Sequence, residues 1–145
     1  MKHIPGARVA GNDESLNGER IPRLLRNARY FKEEEMGKVQ RFGSVIGVRP
    51  EKLEYYKQLH AAPWPEINAM IKACNIRNYS IYYKDGLLFS YYEYVGDDYE
   101  ADMAKMADDP KTQEWWAECK PCQQPLETRA PGEWWADMPE VYHLD

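Results

Sequence analysis

Two side chains that can move protons, Tyr56 and His60, stand four positions apart in the sequence. On an α-helix this spacing puts both on one face, one turn apart, so that both can point into the same space. The unperturbed pKa of imidazole is close to neutral pH, which suits His60 to proton transfer. The pattern alone leaves a second interpretation open, in which His60 is a structural histidine of the core.

Tryptophans could form the walls of a site around these two residues. Trp115 and Trp116 are adjacent in a predicted helix, where neighbouring side chains point about 100° apart, so we expect one ring to pack inward and the other to line a cleft. Indole faces stack on the C–H faces of sugars, and the indole N–H can donate to a hydroxyl. The pair Trp134-Trp135 poses the same question, and Trp64 is a further possible wall. Core packing is the alternative for each ring.

Other motifs give weaker signals. Cys119 and Cys122 have the spacing of redox proteins, but they follow a predicted helix and lack the helix N-terminus that lowers a thiol pKa. The three scattered histidines match zinc-site spacing poorly, so we expect no metal. The sequence contains no phosphate-binding glycine loop, GxSxG or HExxH motif. We interpret four aspartates as helix caps and solvated turns: Asp97, Asp98, Asp108 and Asp109.

Charge and hydropathy exclude several function classes. The 145 residues carry 19 Lys and Arg against 24 Asp and Glu, and the net charge of -5 gives no basic face for nucleic acid. No run of about 18 apolar residues is present, so we expect no membrane-spanning helix. The lack of an apolar signal segment and the odd cysteine count favour a reducing cytoplasm. The excess of Tyr and Trp over Phe favours a hydrated, hydrogen-bonding pocket.

Composition divides the chain near Met36. Residues 1–37 mix basic and acidic side chains and contain few large apolar ones, which is typical of a poorly packed extension. Periodic patterns begin after this point, so we expect residues 38–145 to form the functional domain and regard Met36 as a candidate initiator.

The elements that must position these residues follow from periodicity and from turn signals. Leu53, Tyr56 and His60 share one face of a helix that begins near Pro50 and breaks at Pro63. The other predicted elements are a strand over Phe42–Val48, a helix from Pro65 to Asn75, strands over Asn78–Tyr83 and Leu87–Val95, helices after Asp97 or Asp98 and after Asp109, a loop over Pro121–Gly132 and an extended segment over Trp134–Leu144.

This order contains two strand–helix–strand units and predicts an α+β, ferredoxin-like sandwich with a four-stranded antiparallel sheet and helices on one face. The other face would be rich in Tyr and Val, too apolar to remain in water as a large patch. We therefore expect two subunits to pack sheet against sheet in a homodimer, as dimeric α/β-barrel proteins do.

Several ordered motifs together resemble the L-rhamnose mutarotase family, from about Arg41 to Leu144. They are Arg41 before the first strand, Tyr56-Lys57-Gln58-Leu59-His60, Trp64-Pro65-Glu66, Asn78-Tyr79-Ser80-Ile81-Tyr82, Trp115-Trp116 and Glu140-Val141-Tyr142. The resemblance implies a cytoplasmic dimer that interconverts the α and β anomers of a 6-deoxy sugar. It assigns His60 as proton donor and the sugar-binding positions to Tyr56, Ser80, Trp115 and Trp116. Residues 1–35 and the loop Pro121–Gly132 depart from the compact pattern of the family.

The implied reaction suits these residue types. Anomerisation protonates the ring oxygen, deprotonates the anomeric hydroxyl, and opens and recloses the ring, so we expect neither a metal nor another cofactor. We expect His60 to be the acid, with Tyr56 orienting or sharing the proton transfer. The alternatives are a non-catalytic sugar-binding module and a monooxygenase on the same dimeric scaffold. The sequence does not choose between L-rhamnose and L-fucose.

Overall fold

The structure is a computed structural model that describes residues 38–145. The expectations about residues 1–37 and about a start at Met36 lie outside the described residues. Along the described part of the chain the strands and helices are β1 Gln40–Val48, α1 Leu53–Ala61, α2 Pro65–Ala73, β2 Ile76–Lys84, β3 Leu87–Tyr94, α3 Tyr99–Asp108, α4 Pro110–Cys119, β4 Gln123–Gln124 and β5 Ala136–Met138. Single 3-10 turns at Pro50–Lys52 and Lys120–Cys122 precede α1 and β4.

The helices begin where proline and aspartate predict them. Pro65 is the first residue of α2, where a missing N–H costs nothing. Asp98 caps α3 by accepting a hydrogen bond from the backbone N–H of Ala101 at 3.0 Å. Asp109 caps α4 in the same way, accepting from Thr112 N–H at 2.8 Å. Each carboxylate satisfies an amide that the helix leaves unpaired.

Two turns determine how the second and third strands are placed. Asn75 ends α2 in the left-handed region, with φ of 62°. Asp85 and Gly86 both have positive φ, 49° and 80°, as the central pair of a type I′ hairpin turn requires. This turn joins β2 and β3 and sets their antiparallel register, which is interrupted by an irregularity between Arg77 and Ser80.

The sheet is antiparallel with the order β2-β3-β1-β4, and β5 also pairs with β1. The predicted ferredoxin-like fold is therefore present, but the strands that follow α4 differ from the expectation. The expected loop Pro121–Gly132 contains β4, and the expected extended segment Trp134–Leu144 is a strand only over β5. The two short strands lie along the same edge of β1: β4 pairs with the C-terminal end of β1, and β5 pairs with its middle.

The helices pack on one face of the sheet. Ile46 of β1 and Leu88 of β3 form a core with Tyr56 of α1, Ile67 of α2 and Trp115 of α4. Side chains on the opposite face alternate with these along each strand. Within residues 38–145, none of the helices combines the length and the apolar character that a membrane-spanning segment requires.

Candidate active site

A cavity of about 340 Å³ lies among the helices and the sheet face that they cover. Its volume is near the lower end of the roughly 300–1,000 Å³ typical of small-molecule sites. Its lining is mostly apolar and aromatic, with a few polar groups that could orient a ligand. The lining includes Tyr56 and His60 of α1, Tyr79 of β2, Trp115 and Trp116 of α4, and Gln123 and Trp134 from the chain that follows.

His60 lines this cavity from the last turn of α1. Its Nδ1 lies 2.8 Å from the backbone oxygen of Tyr56. Because a carbonyl oxygen can only accept, Nδ1 carries the hydrogen of the neutral ring and Nε2 keeps its lone pair. Burial lowers the pKa of His60 below its ordinary 6.5, although the bond to the Tyr56 oxygen opposes this shift. At neutral pH His60 is therefore a neutral imidazole whose Nε2 can accept a proton.

The Tyr56 ring holds the imidazole from one side. The two rings stack with their centroids 4.2 Å apart, and Trp115 meets His60 edge-on at 5.3 Å. Tyr56 is 4% exposed, and burial raises the pKa of its hydroxyl, while the contact with Gln123 Nε2 at 3.5 Å has the opposite effect. The side chain is thus a neutral phenol that can donate a hydrogen bond.

Trp115 and Trp116 both line the cavity, at different depths. As expected, Trp115 packs inward and Trp116 lines the cleft; Trp115 also borders the cavity, because the cavity lies against the core. Trp115 is buried and packs edge-on against Trp64, with their centroids 5.2 Å apart. Trp116 is half-buried, and the Lys120 ammonium lies 5.2 Å from its ring centroid. Trp64 supports the wall without lining the cavity.

The structure does not bring Ser80 to this cavity. Ser80 pairs with Tyr91, whereas Ile81 pairs with the buried Ser90 on the helix-facing side. Since side chains alternate along a strand, Ser80 points to the opposite face and its two neighbours point into the cavity. The family resemblance implied Ser80 and not Tyr79 as a sugar-binding position; the available signal was alternation, which puts Tyr79 on the same side of the strand as the apolar Ile81.

Tyr79 brings a third phenol to the site. Its ring meets Tyr92 edge-on, with centroids 5.5 Å apart. The residue is 44% exposed overall, but burial of its hydroxyl raises its pKa to about 12. Tyr79 therefore offers a neutral hydroxyl that can donate to or accept from a ligand.

The segment after α4 forms the remaining wall. Trp134 and Trp135 both line the cavity. The indole Nε1–H of Trp134 donates to Gln123 Oε1 at 2.7 Å. The Lys120 ammonium lies 5.7 Å from the Trp134 ring centroid, so this lysine sits between two indoles. Of the predicted loop Pro121–Gly132, Gln123 lines the cavity, and the other wall residues of this segment lie just outside the loop.

The three cysteines are unpaired and buried. Burial raises the pKa of Cys119 to about 12 and also raises that of Cys122, so both are protonated thiols at neutral pH. This agrees with the sequence argument against a reactive redox pair. Within residues 38–145 no three His, Cys, Asp or Glu side chains are grouped where they could hold a metal ion.

A family model and several curated proteins match this sequence. The family model described as L-rhamnose mutarotase matches residues 41–144. The L-rhamnose mutarotase of Bacillus subtilis is 35% identical over 109 residues, covering 74% of this chain and 100% of that protein.

Two solved structures share the fold. An L-rhamnose mutarotase from Formosa agariphila has a TM-score of 0.57 and 20% identity, covering 73% of this chain and 99% of that one. Tetracenomycin F2 cyclase from Streptomyces glaucescens, a type II polyketide cyclase, has a TM-score of 0.56 and 15% identity, covering 73% of this chain and 97% of that one. These likenesses confirm the predicted ferredoxin-like α+β fold.

Proposed function

Because the chain belongs to the L-rhamnose mutarotase family, we propose that it is a carbohydrate isomerase that interconverts the α and β anomers of L-rhamnose or of a related 6-deoxy sugar such as L-fucose. The observation that carries this proposal is the state of His60. Its Nδ1 is hydrogen-bonded to the backbone oxygen of Tyr56, and its Nε2 remains available to accept a proton in a cavity lined by indoles.

His60 carries the proton of the reaction. Its Nε2 takes the hydrogen of the anomeric hydroxyl, the anomeric oxygen forms the carbonyl, and the bond from the anomeric carbon to the ring oxygen breaks. The imidazolium then gives this proton to the ring oxygen, so His60 is the proton donor in that step. Rotation of the open chain presents the other face of the carbonyl, and the same steps in reverse close the second anomer. No electrons or groups are transferred overall.

The other residues bind and orient the sugar. The Tyr56 hydroxyl donates to the oxygen on which negative charge develops, which stabilises the transition state. Trp115 and Trp116 contact the apolar C–H faces of the ring. Tyr79, in place of Ser80, binds a sugar hydroxyl, because its hydroxyl is buried at the cavity whereas Ser80 belongs to the other face.

Replacing His60 tests the proposal. His60→Asn keeps a donor near the position of Nδ1 but cannot carry a proton, so we expect anomer exchange measured by NMR to slow by roughly 10²–10⁴-fold. His143→Asn is the matched control, because His143 lies in the C-terminal segment with its partner Asp145 and does not line the cavity. Wild-type exchange in folded His60→Asn protein would overturn the assignment.

Two alternatives predict different results. A sugar-binding module would bind the sugar without accelerating exchange, and a monooxygenase would consume oxygen with a phenolic substrate; family membership favours neither. An exchange panel of L-rhamnose, L-fucose and unrelated pyranoses would identify the sugar, because the candidates differ in hydroxyl stereochemistry.

We also propose a cytoplasmic homodimer that packs through the face of the sheet opposite the helices. Val45, Phe89 and Tyr82 lie in register across three strands on this face, and Tyr82 is 67% exposed. An apolar face of this kind is stabilised by a second copy. Light scattering should give a dimer mass for the wild type and a monomer mass for Tyr82→Lys; a monomeric wild type would contradict the proposal. Three unpaired cysteines support a reducing compartment.

A further inference from the structure

Gln123 lies between two groups of the cavity wall and contacts both. It is 5% exposed in the short strand β4, where it pairs with Val48 of β1. Its Oε1 accepts from the indole Nε1–H of Trp134 at 2.7 Å, and its Nε2 lies 3.5 Å from the Tyr56 hydroxyl oxygen. Because an indole N–H can only donate, the side facing Trp134 must be the amide oxygen, and the amide N–H therefore faces Tyr56.

This orientation determines which way the phenol can donate. A hydroxyl that faces an amide N–H accepts from it, and its own hydrogen must then point elsewhere. The distance of 3.5 Å between Gln123 Nε2 and the Tyr56 hydroxyl is long for a hydrogen bond, but the amide N–H is the donor in this contact whatever its strength. The cavity then receives one donor from Tyr56 and one acceptor from His60 Nε2, the pair that anomerisation needs.

We propose that Gln123, held by Trp134, is a positioning residue that keeps the Tyr56 hydroxyl hydrogen directed towards the substrate. The proposal rests on the proposed mutarotase function and concerns Gln123, for which the resemblance implies no role. Gln123 and Trp134 are themselves held in place. The β4 backbone is paired to β1, and the Lys120 ammonium lies between the rings of Trp116 and Trp134 at 5.2 and 5.7 Å from their centroids.

A pair of substitutions separates positioning from packing. In Gln123→Glu an ionised carboxylate of nearly the same size still accepts from Trp134 but cannot donate, so the Tyr56 hydrogen turns towards it and away from the sugar. Gln123→Met fills similar volume, makes neither bond and leaves that hydrogen free. Because burial raises the pKa of a carboxyl, kcat is measured from neutral to alkaline pH. At the pH where the carboxyl has ionised, we expect kcat of the Glu variant to be about tenfold or more below that of the Met variant, with KM changed little.

A merely structural Gln123 predicts the opposite order, because the Glu variant retains more of the native contacts. Equal kcat values over the whole pH range, or a lower kcat for the Met variant, would overturn the proposal. In a Tyr56→Phe background the difference between the two variants should vanish, because no hydroxyl remains to be oriented.

Two further measurements complete the test. If Gln123→Glu does not fold, Trp134→Phe removes the N–H that fixes the amide but keeps a ring, and kcat should fall about threefold or more; unchanged kcat would overturn the proposal. The result for His60→Asn distinguishes failure of the mutarotase function from failure of the positioning role of Gln123. Loss of exchange in that variant with equal kcat for the two Gln123 variants would refute only the positioning role.

Discussion

Trp115 and Trp116 should respond differently to truncation because the structure buries them to different depths. Trp115 is 7% exposed and belongs to the core, with Trp64 at 5.2 Å and His60 at 5.3 Å between ring centroids. Trp116 is half-buried, and its ring lies 5.2 Å from the Lys120 ammonium. One substitution therefore opens a hole in the core, whereas the other mainly removes a face of the cavity.

These contacts set the expected magnitudes. Trp115→Ala should lower the free energy of unfolding by about 3–5 kcal/mol, the usual cost of truncating a buried aromatic side chain. At about 4 °C per kcal/mol for a domain of roughly this size, its Tm should fall by about 12–20 °C. Trp116→Ala loses part of its apolar burial and a cation–π contact, so we expect at most about 2 kcal/mol and a Tm decrease below about 8 °C.

Thermal unfolding followed by circular dichroism gives the two Tm values, and NMR exchange at a temperature where both variants are folded gives their kinetics. Trp116→Ala should raise KM by about tenfold, since stacking on the sugar is lost while the core stays closed. Equal decreases in Tm for the two variants would refute the difference in depth. An unchanged KM for Trp116→Ala would refute its role in sugar binding.

Three further outcomes follow from single contacts. The exchange rate should fall as the pH drops through the pKa of His60, because only the neutral ring accepts a proton; since burial lowers this pKa, the midpoint of the kcat/KM profile should lie below 6.5, and a higher midpoint would contradict this. In the exchange assay Tyr79→Phe should reduce kcat/KM by about tenfold, while Ser80→Ala should leave it unchanged. Equal effects of the two substitutions would contradict the assignment of Tyr79 in place of Ser80. A Cβ at Gly47 would lie 2.6 Å from a backbone oxygen of β4, so Gly47→Ala should destabilise the fold by about 1–3 kcal/mol in denaturant unfolding. Gly43→Ala, where the nearest atom would be a side-chain methyl at 3.5 Å, is the control and should stay near wild type.

Local patterns were sufficient for most of the fold. Helix starts are visible in the sequence because the residues that cap a helix stand next to it in the chain. Asp98 and Asp109 accept hydrogen bonds from free N–H groups of the first turn, and Pro65 has no N–H to leave unpaired. The Asp85-Gly86 turn defines its hairpin because few residues adopt positive φ. The last edge of the sheet was predicted incorrectly, because β4 and β5 are too short to show a period and exist only through pairing with β1.

The sequence by itself determined the family resemblance and the order of the elements from β1 to α4. It also determined the pairing of Tyr56 with His60, because a spacing of four along a helix fixes neighbours without any tertiary contact. Alternation along β2 puts Tyr79 and Ser80 on opposite faces, but only the tertiary structure decided which face meets the cavity, because a change of one residue in strand register exchanges the two faces. It also decided that Gln123 contacts both Trp134 and Tyr56, since Tyr56 lies far from the other two in the chain and the pairing of β4 with β1 brings Gln123 to it.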